Sequence, residues 1–104
     1  MKAKNYDLTF LPLFEEDLAK IVSYISKNLH NPTAAHQLVD DVEQAIFERL
    51  QYPDGYEPFQ SLKNRPHPYY TITVKNFMIF YVLIGKTMEV RRILYRKRDM
   101  DKLL

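Results

Sequence analysis

Residues 77–84 read Phe77-Met-Ile-Phe-Tyr-Val-Leu-Ile84, with no charge and no turn former among them. The run is far too short to span a bilayer, and it is rich in aromatic and branched side chains that favour strands. Apolar on both faces, it reads as a strand covered from both sides, in the middle of a sheet. Immediately before it, Tyr69 to Val74 has the same character, and Lys75-Asn76 between them reads as a tight hairpin turn. Immediately after it, Gly85-Lys86 turns the chain into a further strand from Met88 to Tyr95. Strands joined by turns this short pair antiparallel.

Working outward, Tyr52 to Pro68 holds four of the six prolines and one of the two glycines, so it is a loop. Before it, apolar residues at Ala35, Leu38, Val39, Val42, Ala45, Ile46 and Leu50 fall on one helical stripe, capped by Thr33 or Asn31. A second stripe, Phe14, Leu18, Ile21, Val22, Ile25 and Leu29, predicts an earlier helix that Asn28 to Pro32 ends. Asn5 to Leu11 alternates Tyr6, Leu8 and Phe10 with polar residues, a short strand closed by Pro12. The order is β-α-α-β-β-β. It predicts an α+β fold in which a helical hairpin packs on one face of a mainly antiparallel sheet, leaving the other face for a partner or substrate.

A chain of 104 residues has the size of one domain, and 46% hydrophobic with 27% charged residues is the composition of an ordinary globular protein. The absence of cysteine removes disulfides and thiolate metal sites and favours the reducing cytoplasm. The opening MKAKNYDLTF has no apolar segment behind its lysines, so neither an export signal nor a membrane span is expected. Two glycines cannot build a phosphate-binding loop, and no His/Glu pair has zinc-protease spacing. His30, His36 and His67 read as surface residues, and no metal or cofactor is expected. Ser23, Ser26 and Ser61 lack the strand-to-helix elbow that exposes a nucleophile.

Charge is unevenly spread despite a net +2. From Ala34 to Leu50 the only basic side chain is Arg49, against Asp40, Asp41, Glu43 and Glu48. Val90 to Leu104 holds Arg91, Arg92, Arg96, Lys97, Arg98 and Lys102. Strand alternation sets Arg92, Leu94 and Arg96 on one side and Arg91, Ile93 and Tyr95 on the other. Such arginines can simply pair with helix carboxylates or lay their stems over apolar surface. Together with Tyr95 they also suit RNA, since guanidinium groups hold phosphates and aromatic rings stack on bases. Lys63, Arg65 and His67 join them if the proline-rich loop folds toward the last strand.

The element order, with Tyr6-Asp-Leu-Thr-Phe10, Asp17-Leu-Ala-Lys-Ile-Val-Ser-Tyr-Ile25, Val74-Lys-Asn-Phe-Met-Ile-Phe-Tyr81 and Arg92-Ile-Leu-Tyr-Arg-Lys-Arg-Asp99, resembles the RelE/ParE superfamily of type II toxin–antitoxin (plasmid stabilisation) toxins. The resemblance covers almost the whole chain and implies a single toxin domain over residues 1–104. Its RelE branch implies a ribosome-dependent, metal-independent mRNA endonuclease (mRNA interferase) that inhibits translation and arrests growth. In that reading Arg92 and Tyr95 are catalytic, with Arg92 stabilising the developing phosphorane charge and Tyr95 handling a proton. Lys63, Arg65, Arg96 and Arg98 are then RNA- or target-binding, and the ribosome and its mRNA are the partners. The ParE branch implies instead a DNA gyrase inhibitor, and the pair Arg98-Asp99 matches that branch. A third alternative is an inactive toxin fold that only binds antitoxin, because Tyr70 and Thr71 stand where many relatives carry an arginine. Every branch implies a cognate antitoxin, acidic and partly disordered.

Overall fold

The computed structural model describes residues 5–60, 63, 65–97 and 103–104. Strand β1 spans Asp7–Phe10, helix α1 Pro12–Ser23 and helix α2 Pro32–Leu50. Strands β2, β3 and β4 follow at Tyr70–Val74, Phe77–Ile84 and Thr87–Tyr95. Proline opens both helices, where its missing N–H costs no helical bond. Asn31 caps α2 by accepting the Ala34 N–H at 3.1 Å.

Helix α1 runs on into one wide π-helical turn, Tyr24–Asn28, where the Leu29 N–H reaches back five residues to the Tyr24 carbonyl at 3.1 Å. The extra residue per turn rotates the apolar stripe. Ile21 and Ile25 pack against the core, whereas Leu29, predicted to continue the stripe, is left exposed. His30 then adopts a positive φ of 52° and turns the chain into α2.

The sheet order is β1-β4-β3-β2, with β3 antiparallel to both β2 and β4, and β1 parallel to β4. The meander is thus antiparallel as expected, and β1 makes the sheet mixed. The long crossover through both helices allows β1 and β4 to run the same way. Residues Ile79 to Val82 of β3 are fully buried. Ile79 and Tyr81 face the helices, in a core with Phe14, Leu38, Val42, Ile46, Met88 and Ile93.

The opposite face is not bare. Phe80, Val82, Leu94 and Tyr69 form a second apolar cluster there, covered by Phe59, Leu103 and Leu104. Phe59 and Tyr69 meet the Phe80 ring edge-on, at 5.4 and 6.0 Å between centroids. Part of the proline-rich loop therefore roofs the face predicted to be open. The loop is also tied to the sheet by the Phe59 N–H, which donates to the Tyr69 carbonyl.

Strand β4 departs from simple alternation. Its register with β3 steps from Tyr81↔Val90 to Phe80↔Arg92, so Arg91 is an extra residue in a β-bulge. Val90 and Ile93, three apart, both enter the helix-side core as a result. Arg91 joins Tyr69, not Ile93, with its guanidinium 5.9 Å from the Tyr69 ring centre. Among the described residues, no helix is long and apolar enough to cross a membrane.

Candidate functional site

Strand β1 accompanies β4 only from Thr87 to Val90; the Leu11 N–H closes that pairing on the Val90 carbonyl at 2.9 Å and the chain then enters α1. Beyond Val90, β4 has no neighbouring strand on this side among the described residues. Asp17 on α1 takes the place of one. Its Oδ2 accepts the Ile93 N–H at 3.2 Å. The same carboxylate binds Arg92 bidentately, Nε to Oδ2 at 2.7 Å and Nη2 to Oδ1 at 3.0 Å. The Arg92 Nη1 donates to the Leu103 carbonyl at 2.8 Å. All three guanidinium nitrogens are thereby engaged within the protein. Hydrogen bonding to Asp17 lifts the Arg92 pKa above its ordinary value against the opposing effect of burial.

Arg65 does meet this region, as its loop position allowed. Its Nη1 donates to the Leu104 carbonyl at 3.3 Å, and its guanidinium sits 4.9 Å from the centre of the Tyr69 ring. Arg65 and Arg92 thus hold the carbonyls of consecutive residues, with Arg91 beside the same tyrosine and paired to Glu89 at 2.8 Å. Lys63 is exposed. Arg96 is exposed, and its N–H closes the hairpin end on the Asn76 carbonyl. Tyr95 lies against Phe77 with one side open to solvent. Arg98 lies outside the described residues.

Along the free edge of β4 runs a trough. Two clefts of about 310 and 640 Å³ share Lys20, Ile21, Phe77 and Tyr95, so they lie side by side. The larger cleft is mainly apolar, with Tyr24 and Ile25 of the π-helical turn and Leu29 just beyond it on its wall. Arg96 and Lys97 border a further hollow at the Tyr95 end. Lys20, Arg96 and Lys97 make the rim basic, and its carboxylate, Asp17, is already held by Arg92. Sequence reasoning gave no role to Asp17 or Lys20. The available signal was Asp17 at helical spacing between Phe14 and Ile21, a carboxylate placed among the inward residues of its helix.

The family model described as the ParE toxin of the type II toxin–antitoxin system parDE matches residues 8–100. The chain belongs to the ParE toxin family. A chain of the chromosomal ParDE TA system from P. aeruginosa superposes with a TM-score of 0.72 at 19% identity, covering 89% of this chain and 98% of that one. At that identity the likeness bears on the fold. No curated protein sequence matches the chain. Membership in the ParE family confirms the RelE/ParE resemblance and corrects the enzymatic expectation drawn from its RelE branch. A metal-independent endoribonuclease acting on ribosome-bound mRNA is overturned by the ParE match, and the ribosome and mRNA lose their support as partners. The geometry offers a physical reason: Arg92, expected to meet a phosphorane, instead donates to Asp17 and Leu103.

Proposed function

We propose that this ParE-family toxin acts in the cytoplasm as an inhibitor of DNA gyrase, and that a cognate acidic antitoxin neutralises it by lying in the trough beside β4. The observation that carries the reading is the ParE match over residues 8–100. The trough supports its second half. An extended segment can add to the edge of β4 near Tyr95, beyond the Ile93 N–H that Asp17 already holds, gaining main-chain hydrogen bonds while alternate side chains enter the apolar cleft. The basic rim of Lys20, Arg96 and Lys97 suits an acidic segment.

The direct test is gyrase supercoiling of relaxed plasmid with purified toxin titrated in, with and without the antitoxin encoded beside it. Supercoiling falls as toxin is added and recovers at one equivalent of antitoxin. Gyrase that keeps its full rate at saturating toxin would overturn the reading.

A further inference from the structure

A strand that adds to the open edge of β4 needs a register as well as a site. Antiparallel pairing leaves every second residue of a strand with its N–H and carbonyl turned away from its neighbour. Ile93, opposite Ile79 of β3, is one of these, since its N–H donates outward to the Asp17 Oδ2 at 3.2 Å. Tyr95, opposite Phe77, is the next. The Arg96 N–H points the other way, to the Asn76 carbonyl at 2.8 Å, as the alternation requires.

Neither side-chain pattern nor simple attraction chooses between Ile93 and Tyr95. A slip of one residue would reverse the faces of an added strand, but a slip of two returns every side chain to its own face. A cation adjoins each position, Arg92 beside Ile93 and Arg96 beside Tyr95. Asp17 breaks the tie. Its carboxylate stands where the carbonyl of an added strand would have to stand to accept the Ile93 N–H. Two bonds from Arg92, at 2.7 and 3.0 Å, hold it there, with its side chain only 12% exposed. The same charge repels the carboxylates of an acidic segment from Arg92. Lys20, three residues on and on the same face of α1, lines both clefts of the trough. The helix thus sets a blocking anion at one pairing position and an attracting cation farther along.

We infer that Asp17 sets the register of the antitoxin on this toxin. It closes the pairing position at Ile93 and leaves the one at Tyr95, so the carboxylates of the segment come to Lys20, Arg96 and Lys97 and not to Arg92. Asp17 is a positioning residue, acting through the strand edge and through Arg92. The inference deepens the proposed neutralisation in the trough and rests on it.

Amide hydrogen exchange, resolved by residue with NMR on the full chain with and without the antitoxin encoded beside it, tests the assignment. In the free wild type the Ile93 amide is protected and the Tyr95 amide exchanges freely. Beyond any slowing shared by the whole sheet, antitoxin slows Tyr95 by about tenfold or more and leaves Ile93 within about twofold of its free rate. Asp17→Ala opens the Ile93 amide in the free toxin, and antitoxin then protects Ile93 as well. Asp17→Asn, whose amide oxygen still accepts the Ile93 N–H, keeps the wild-type pattern, whereas a merely structural role would raise exchange throughout β4 in both variants. Antitoxin that slows Ile93 together with Tyr95 in the wild type overturns the inference while the trough stands, and this result needs no variant that folds. An unchanged pattern in Asp17→Ala overturns it equally. Antitoxin that binds yet slows no amide at this edge defeats the trough reading and the inference with it.

Discussion

Arg92 is best understood from the partners it has. A guanidinium with only 18% of its side chain exposed, bound bidentately to a carboxylate 12% exposed, is a geometry that lysine cannot reproduce. Removing it leaves the largely buried Asp17 without its cation and frees the Leu103 carbonyl. Arg92→Ala is therefore expected to cost about 2 kcal/mol or more, a fall in Tm of roughly 10 °C. Arg92→Lys should recover less than half of that loss. Thermal unfolding followed by circular dichroism measures both, and an alanine variant as stable as wild type would show that the pair contributes nothing net. The residue was legible in the sequence as part of a basic cluster, but its partner was not. Asp17 lies 75 positions away, and only the packing of α1 beside the strand edge brings the two together.

At the scale of elements, the joint between α2, the turn after it and β3 turns on Tyr81. Its ring is fully buried and stacks on Tyr70 with 5.3 Å between centroids; its hydroxyl donates to the Pro53 carbonyl at 2.7 Å and accepts from Arg49. Burial pushes the Tyr81 phenol above its ordinary 10.0, against the opposing hydrogen bond from Arg49. A phenol whose folded-state pKa is raised gives stability that is intact below pH 10 and is lost as the pH rises toward the folded value. Tyr81→Phe is expected to be less stable by about 1–2 kcal/mol at pH 7, from the loss of the two hydrogen bonds. That deficit should shrink above pH 10, where only the wild type suffers the ionisation. Urea unfolding at pH 7 and pH 10.5 checks it; a deficit equal at both values would mean the phenol is not perturbed. The helices and strands themselves were readable from periodicity. The π-helical turn and the bulge at Arg91 were not, because each adds one residue to a repeat and its effect is felt only in how later residues face the core.

Across the whole molecule, charge divides the surface between a basic trough at the end of β4 and an acidic end of α2. A net charge of +2 conceals this division. If the trough receives an acidic antitoxin, association is steered by the field of Lys20, Arg96 and Lys97 and is screened by salt. The association rate is expected to fall about tenfold or more between 50 and 500 mM salt, and Lys20→Glu/Lys97→Glu to remove most of that dependence. Stopped-flow measurements over a salt series decide it. A wild-type rate indifferent to salt would place the antitoxin elsewhere on the toxin.

The sequence by itself determined the element order, the antiparallel meander with β3 covered on both faces, and the likeness to RelE/ParE toxins. These follow from local properties, namely period, turn chemistry and the burial that an uninterrupted apolar run demands. Only the tertiary structure decided what the charged residues do. Arg92 was open to two readings, a partner for a helix carboxylate or a group awaiting a phosphate, and folding gives it Asp17 from one helix and the Leu103 carbonyl. Whether a cation is available to a ligand depends on the carboxylates and carbonyls within about 3 Å of it. That distance is set by the packing of segments far apart in sequence, which no local pattern encodes.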